Sequence, residues 1–211
     1  MKLRASGLLG VRRDGARLFT IGSMALALAA CNSVSPRTNV SVGYYNVTGS
    51  SFSELDRQIA LHGPHVPGVG KAIAATSVRM VPDIQFGQIG EVCRVVKARV
   101  RVQANVTLPK LSSQQKLTGE MRGAFNNIET YAKLHEAVHV KIADTYAEEA
   151  EKRIRETRPQ ADCNTLRSKI VATFNALMAE HEAAQQKFDE DEKKRFEKLA
   201  KEGSQVRKKK A

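Results

Sequence analysis

Aromatic residues are scarce in this chain. It has no tryptophan, and only seven phenylalanines and four tyrosines among 211 residues. No stretch offers the stacking platform that single-stranded nucleic acid uses, and there is no glycine-rich phosphate loop. Nucleic acid is therefore an unfavoured partner, although the net charge is +12. Histidine and cysteine are also rare, at five and three residues, so their placement is informative. The apolar run Phe19 to Ala30 is too short to span a bilayer comfortably.

That run has another reading. Lys2, Arg4, Arg12, Arg13 and Arg17 precede it as a basic region, and it ends Leu28-Ala29-Ala30-Cys31. Residues 1–31 are expected to be a bacterial lipoprotein signal peptide, with Cys31 acylated after cleavage. Asn32 follows the cysteine where an Asp would favour retention in an inner membrane. An exported protein is expected, anchored through lipid and facing the periplasm from the outer membrane. Processing would remove five positive charges and one negative, taking +12 to +8. A basic mature chain suits anionic lipid head groups or cell-wall polymers. In an exported domain, Cys93 and Cys163 read as one disulfide. The alternative, that either is a zinc ligand, lacks a Cys or His at ligand spacing.

Two of the five histidines fall four apart, in His135-Glu136-Ala137-Val138-His139. This H-E-x-x-H pattern puts both imidazoles on one face of a helix, within reach of one Zn²⁺. Glu136 would be the general base beside the metal. Residues 124–156 contain neither Pro nor Gly, and Ile128, Tyr131, Leu134, Val138, Ile142 and Tyr146 repeat at helical spacing. The spacing predicts an amphipathic helix whose buried face carries that stripe.

Residues 32–40 read as a polar tether, 41–192 as one domain, and 193–211 as a charged basic tail that frays and becomes disordered. Within the domain, residues 42–48 read as a strand. Ser51 or Ser53 caps a short helix to about Leu61. A second strand spans residues 76–86, with Pro82 demoting it to an edge or a bulge. A hairpin turn at residues 87–90 leads into the clearest strand, residues 96–108, with alternating apolar and basic or polar residues and an end at Pro109. After a linker at residues 110–117 and the motif helix, a break at 159–161 precedes a last helix starting near Asp162 to Asn164. The fold class is α+β: a small antiparallel sheet packed on a long helical hairpin, a minimal zincin-like design.

A catalytic zinc takes three protein ligands plus water. If the two long helices form an antiparallel hairpin about residue 160, Ala137 faces residues near 183. His181, or Glu182 one step round, would then complete the site.

The chain resembles a bacterial family of unknown function described as predicted secreted zinc-dependent proteases. The resemblance runs from about Tyr44 to Asp189. Its carriers are Tyr44-Tyr45-Asn46-Val47-Thr48-Gly49, Gly63-Pro64, Cys93, Thr107-Leu108-Pro109, the H-E-x-x-H motif, Cys163 and Phe188-Asp189. The family pattern continues with a His-Gly shortly after the aromatic-Asp pair, and here Glu190-Asp191-Glu192-Lys193-Lys194 stands there instead. The resemblance implies a zinc-dependent metallopeptidase acting on peptides or proteins in the cell envelope. The competing expectation is a non-catalytic envelope lipoprotein that binds cell wall or a protein partner.

Overall fold

Alternation along one strand organises the structure. The computed structural model describes residues 37–67, 70–112 and 117–210. The expectations for the signal peptide, Cys31 and the first part of the tether lie outside these residues. Strand β5 (Val92–Leu111) turns Ala98, Val100, Val102, Ala104, Val106 and Leu108 inward, and all six are buried. It is central in a three-stranded sheet, flanked by β1 (Thr38–Val47) and β4 (Ala75–Ile89). Between these come α1 (Phe52–His62) and a small hairpin of β2 (His65–Val66) and β3 (Gly70–Lys71). Two long helices follow, α2 (Gly119–Arg155) and α3 (Cys163–Lys210). The α+β expectation is correct.

The sheet is mixed and not antiparallel. β4 pairs antiparallel with β5, but β1 runs parallel to it from Thr38 opposite Val102 to Val47 opposite Leu111. β1 also starts inside the expected tether. Pro82 sits on edge strand β4, where its missing N–H costs no ladder bond, and the register shift falls at Gln85/Phe86. Pro109 does not end β5. β4 begins only opposite Thr107, so at Pro109 β5 has β1 as its one neighbour. The tight turn is Gly90-Glu91, where Gly90 takes a φ of 63° that favours glycine.

α2 starts earlier than its apolar pattern, at Gly119, because the Thr118 hydroxyl caps it by accepting from the Met121 N–H. Its buried face is not the expected stripe. Leu134 and Val138 are exposed, and the buried side chains include Met121, Phe125, Ala132, Ala143, Ala147, Ala150 and Ile154. The alanines let α2 lie close on the sheet. Ala143, Ala147, Ala150 and Ile154 pack with Val100 and Val102 of β5 and with Leu166, Ile170 and Leu177 of α3. Each of the large side chains here contributes about 1.5–3 kcal/mol by leaving water. A second cluster joins Leu55 and Ile59 of α1 to Met121, Phe125 and Val47.

The α2–α3 connection is clamped to the sheet. Cys93 and Cys163 form the expected disulfide, and Cys93 and Gln160 exchange two backbone hydrogen bonds of 2.7 and 3.1 Å. Asp162 starts α3 by accepting from the N–H and the hydroxyl of Thr165 and from the N–H of Asn164, which holds its carboxyl below the usual carboxylate range. α3 then runs as helix to Lys210, through the segment expected to fray. Same-helix ion pairs such as Lys187–Asp191 and Arg195–Glu192 support it. Among the described residues no helix is long and apolar enough to cross a membrane.

Candidate metal centre

α2 and α3 do form an antiparallel hairpin, but one turn out of the expected register. His139 meets Gln185 and His135 meets Asp189. By that pairing Ala137 faces residue 187 and not 183, a difference of about one helical turn. Asp189 therefore occupies the place that sequence reasoning gave to His181 or Glu182.

Three donor atoms converge. The Nε2 atoms of His135 and His139 lie 3.1 Å apart. Asp189 Oδ1 is 3.2 Å from the first and 3.0 Å from the second. A tetrahedral ion with bonds of about 2.0–2.2 Å has ligand atoms about 3.3–3.6 Å apart. The observed triangle is close to that size. Among the described residues this is the one group of three His, Cys, Asp or Glu side chains so arranged.

The hydrogen bonds fix the protons. Gln185 Nε2 donates to the His139 carbonyl at 3.1 Å, so that end of the amide is the nitrogen. Its oxygen then faces His139 Nδ1 at 2.6 Å and must accept from it. His139 is thus protonated on Nδ1, and its Nε2 lone pair points at Asp189. On the other ring, Tyr131 donates to Glu192 Oε2 at 3.1 Å, and its oxygen lies 3.4 Å from His135 Nδ1. Burial and the Glu192 bond push the Tyr131 pKa up to about 12, so it stays a donor. His135 is likewise disposed to carry its proton on Nδ1. With both rings neutral and protonated on Nδ1, two imidazole lone pairs and a carboxylate oxygen face each other. That is the chemistry of a cation site, and the donor set fits a divalent metal.

Phe188 packs tilted against the His135 ring and edge-on to the His139 ring, with centroids 4.8 and 5.1 Å away. The histidines are mostly covered, whereas the Asp189 side chain is 53 % exposed. The centre is closed by protein on the ring side and open toward solvent beside Asp189.

The other expected residues lie elsewhere. His181 is buried, accepts from Gln185 Nε2 at 2.8 Å and packs edge-on to Tyr146. Burial lowers its pKa, and the nearby His139 adds to that while Glu182 opposes it. It props the residue that props His139. Glu182 is exposed and accepts from Gln186 on its own helix. Glu136 is buried against the sheet, where Thr76 of β4 donates to its Oε2 at 2.7 Å. Sequence reasoning missed Asp189, Gln185 and the Tyr131–Glu192 pair. The one available signal was Phe188-Asp189, already a carrier of the resemblance.

Fold and site define an α+β protein with a candidate two-histidine, one-carboxylate metal centre between two helices. Residues 42–196 match the family described as bacterial protein of unknown function (DUF922), and the chain belongs to that family. No curated protein and no solved structure matches it.

Proposed function

We propose that this protein is a zinc-dependent metallopeptidase of the bacterial cell envelope. In this reading it is exported, anchored in the outer membrane through a lipid on Cys31, and acts on peptide or protein substrates. The observation that carries the reading is the convergence of His135 Nε2, His139 Nε2 and Asp189 Oδ1. Two histidines and a carboxylate are a known ligand set for catalytic zinc, with a fourth position left for water. Zinc supplies Lewis acidity, which makes water a nucleophile near neutral pH and polarises a carbonyl. Gln185 and the Tyr131–Glu192 pair orient the two imidazoles. With the metal bound, Glu136 would serve as the general base through Oε1, its Oε2 being held by Thr76.

The burial of Glu136 favours a second reading, a non-catalytic envelope lipoprotein. There the Glu136–Thr76 bond only ties α2 to β4. A peptide-library digest of the zinc-loaded protein against its Glu136→Gln variant separates the two. The enzyme reading expects cleavage that the variant loses while keeping its zinc. Metal binding without cleavage in either protein supports the binding module.

A further inference from the structure

A cavity of about 860 Å³ opens beside residues 97–101 of β5. Among the described residues β1 starts opposite Val102, and from Lys97 to Arg101 β5 pairs with a strand on one side only. Side chains of α2 cap the other edge. Glu151 Oε1 accepts from the Val100 N–H at 2.9 Å, and Arg155 donates to the Ala98 carbonyl at 3.4 Å.

The lining is strongly basic. Among the described residues its lining carries Arg37, Lys97, Arg99, Arg101 and Arg155 against the carboxylates Asp83 and Glu151, a formal excess of three positive charges. Both carboxylates are already engaged. Asp83 pairs with Lys97 at 2.8 Å, and Glu151 with Arg37 at 3.3 Å and Arg155 at 3.4 Å. Arg99 and Arg101 make no ion pair among the described residues. They alternate on the same outward face of β5, about 7 Å apart along the strand. Guanidinium forks at that spacing suit adjacent oxyanion groups, and Arg binds them bidentately. An excess of three charges suits a polyvalent anion better than a single carboxylate. Glu151 lies twelve residues past His139 on α2, about 18 Å along the helix axis, so the cavity is separate from the metal centre.

We infer that this cavity binds a phosphate-bearing ligand, gripped by Arg99 and Arg101, with Arg37 and Arg155 held at its rim by Glu151. The ligand is either a soluble phosphate compound or a phospholipid head group. The test uses the full-length chain, inorganic pyrophosphate by calorimetry, and flotation with phosphatidylglycerol vesicles at fixed ionic strength. Three proteins are compared: wild type, Arg99→Gln/Arg101→Gln, and the charge-matched Arg122→Gln/Lys193→Gln. The expected result is binding of at least one probe by wild type and the charge-matched control, weakened about tenfold or more in Arg99→Gln/Arg101→Gln. A pyrophosphate response assigns the soluble source, and a response confined to vesicles assigns the head group. The inference is overturned if wild type binds neither probe, if Arg99→Gln/Arg101→Gln binds as wild type does, or if both double variants lose binding equally. Should the first double variant unfold, Arg101→Lys keeps the charge without the fork, and must still weaken binding. Because the metal centre takes no part, failure here leaves the peptidase reading untouched.

Discussion

The amide of Gln185 bridges His139 and His181: its oxygen lies 2.6 Å from His139 Nδ1 and its nitrogen 2.8 Å from His181 Nε2. This contact aims the His139 lone pair at Asp189. Partners of this kind typically carry a factor of about 10–100 in metal affinity. Gln185→Leu is therefore expected to weaken zinc binding by about that factor while the helix hairpin still folds. Competition titration with a chromophoric chelator measures it. Wild-type affinity in the variant would remove Gln185 from the account.

Asp189 and His181 make opposite predictions. Asp189→Ala removes a donor atom from the triangle and is expected to abolish stoichiometric binding. His181→Asn leaves all three donors and is expected to keep binding. Metal analysis of the two variants side by side decides between Asp189 and the ligand that the sequence pointed to.

The pH dependence follows from His181. Its folded pKa lies below the ordinary value of 6.5 because burial penalises the charged ring. As pH falls below 6.5, the unfolded chain takes up a proton that the folded protein resists. Stability from this residue is thus complete above pH 6.5 and declines below it, down to the folded pKa. Glu182 and His139, the other charged or titratable groups acting on it, are present in both proteins when wild type is compared with His181→Asn. In excess chelator, the wild-type melting temperature is expected to fall more steeply below pH 6.5 than that of the variant.

Reducing the Cys93–Cys163 bridge releases a loop of 70 residues. Chain-entropy arguments value such a link at about 4 kcal/mol. Reduction is expected to lower the denaturant midpoint by a matching amount, and Cys163→Ala to reproduce it. An unchanged midpoint would mean that the paired Gln160 and Cys93 backbones clamp the hairpin unaided.

Much of this was legible in the sequence because it rests on local periodicity. Alternation from Val96 to Leu108 marked the central strand, and the spacing of His135 and His139 put both rings on one helix face. The buried face of α2 was harder to read. Ala143, Ala147 and Ala150 carry less hydrophobic weight than Leu134 and Val138, yet the small residues are what the close sheet admits. The parallel pairing of β1 depends on contacts more than fifty residues apart, which no local pattern reports. Asp189 was missed through register alone. Counting outward from a break at residue 160 assumes symmetric arms there, whereas the observed pairs, His139 with Gln185 and His135 with Asp189, centre on residue 162.

His135, His139 and Asp189 are expected to hold one metal ion between them. Elemental analysis of the purified protein after incubation with zinc and gel filtration tests it most directly, with His135→Ala and Asp189→Ala alongside. About one zinc per wild-type chain is expected, and none retained by either variant. A wild-type chain that emerges without metal, or an Asp189→Ala chain that keeps it, would contradict the site.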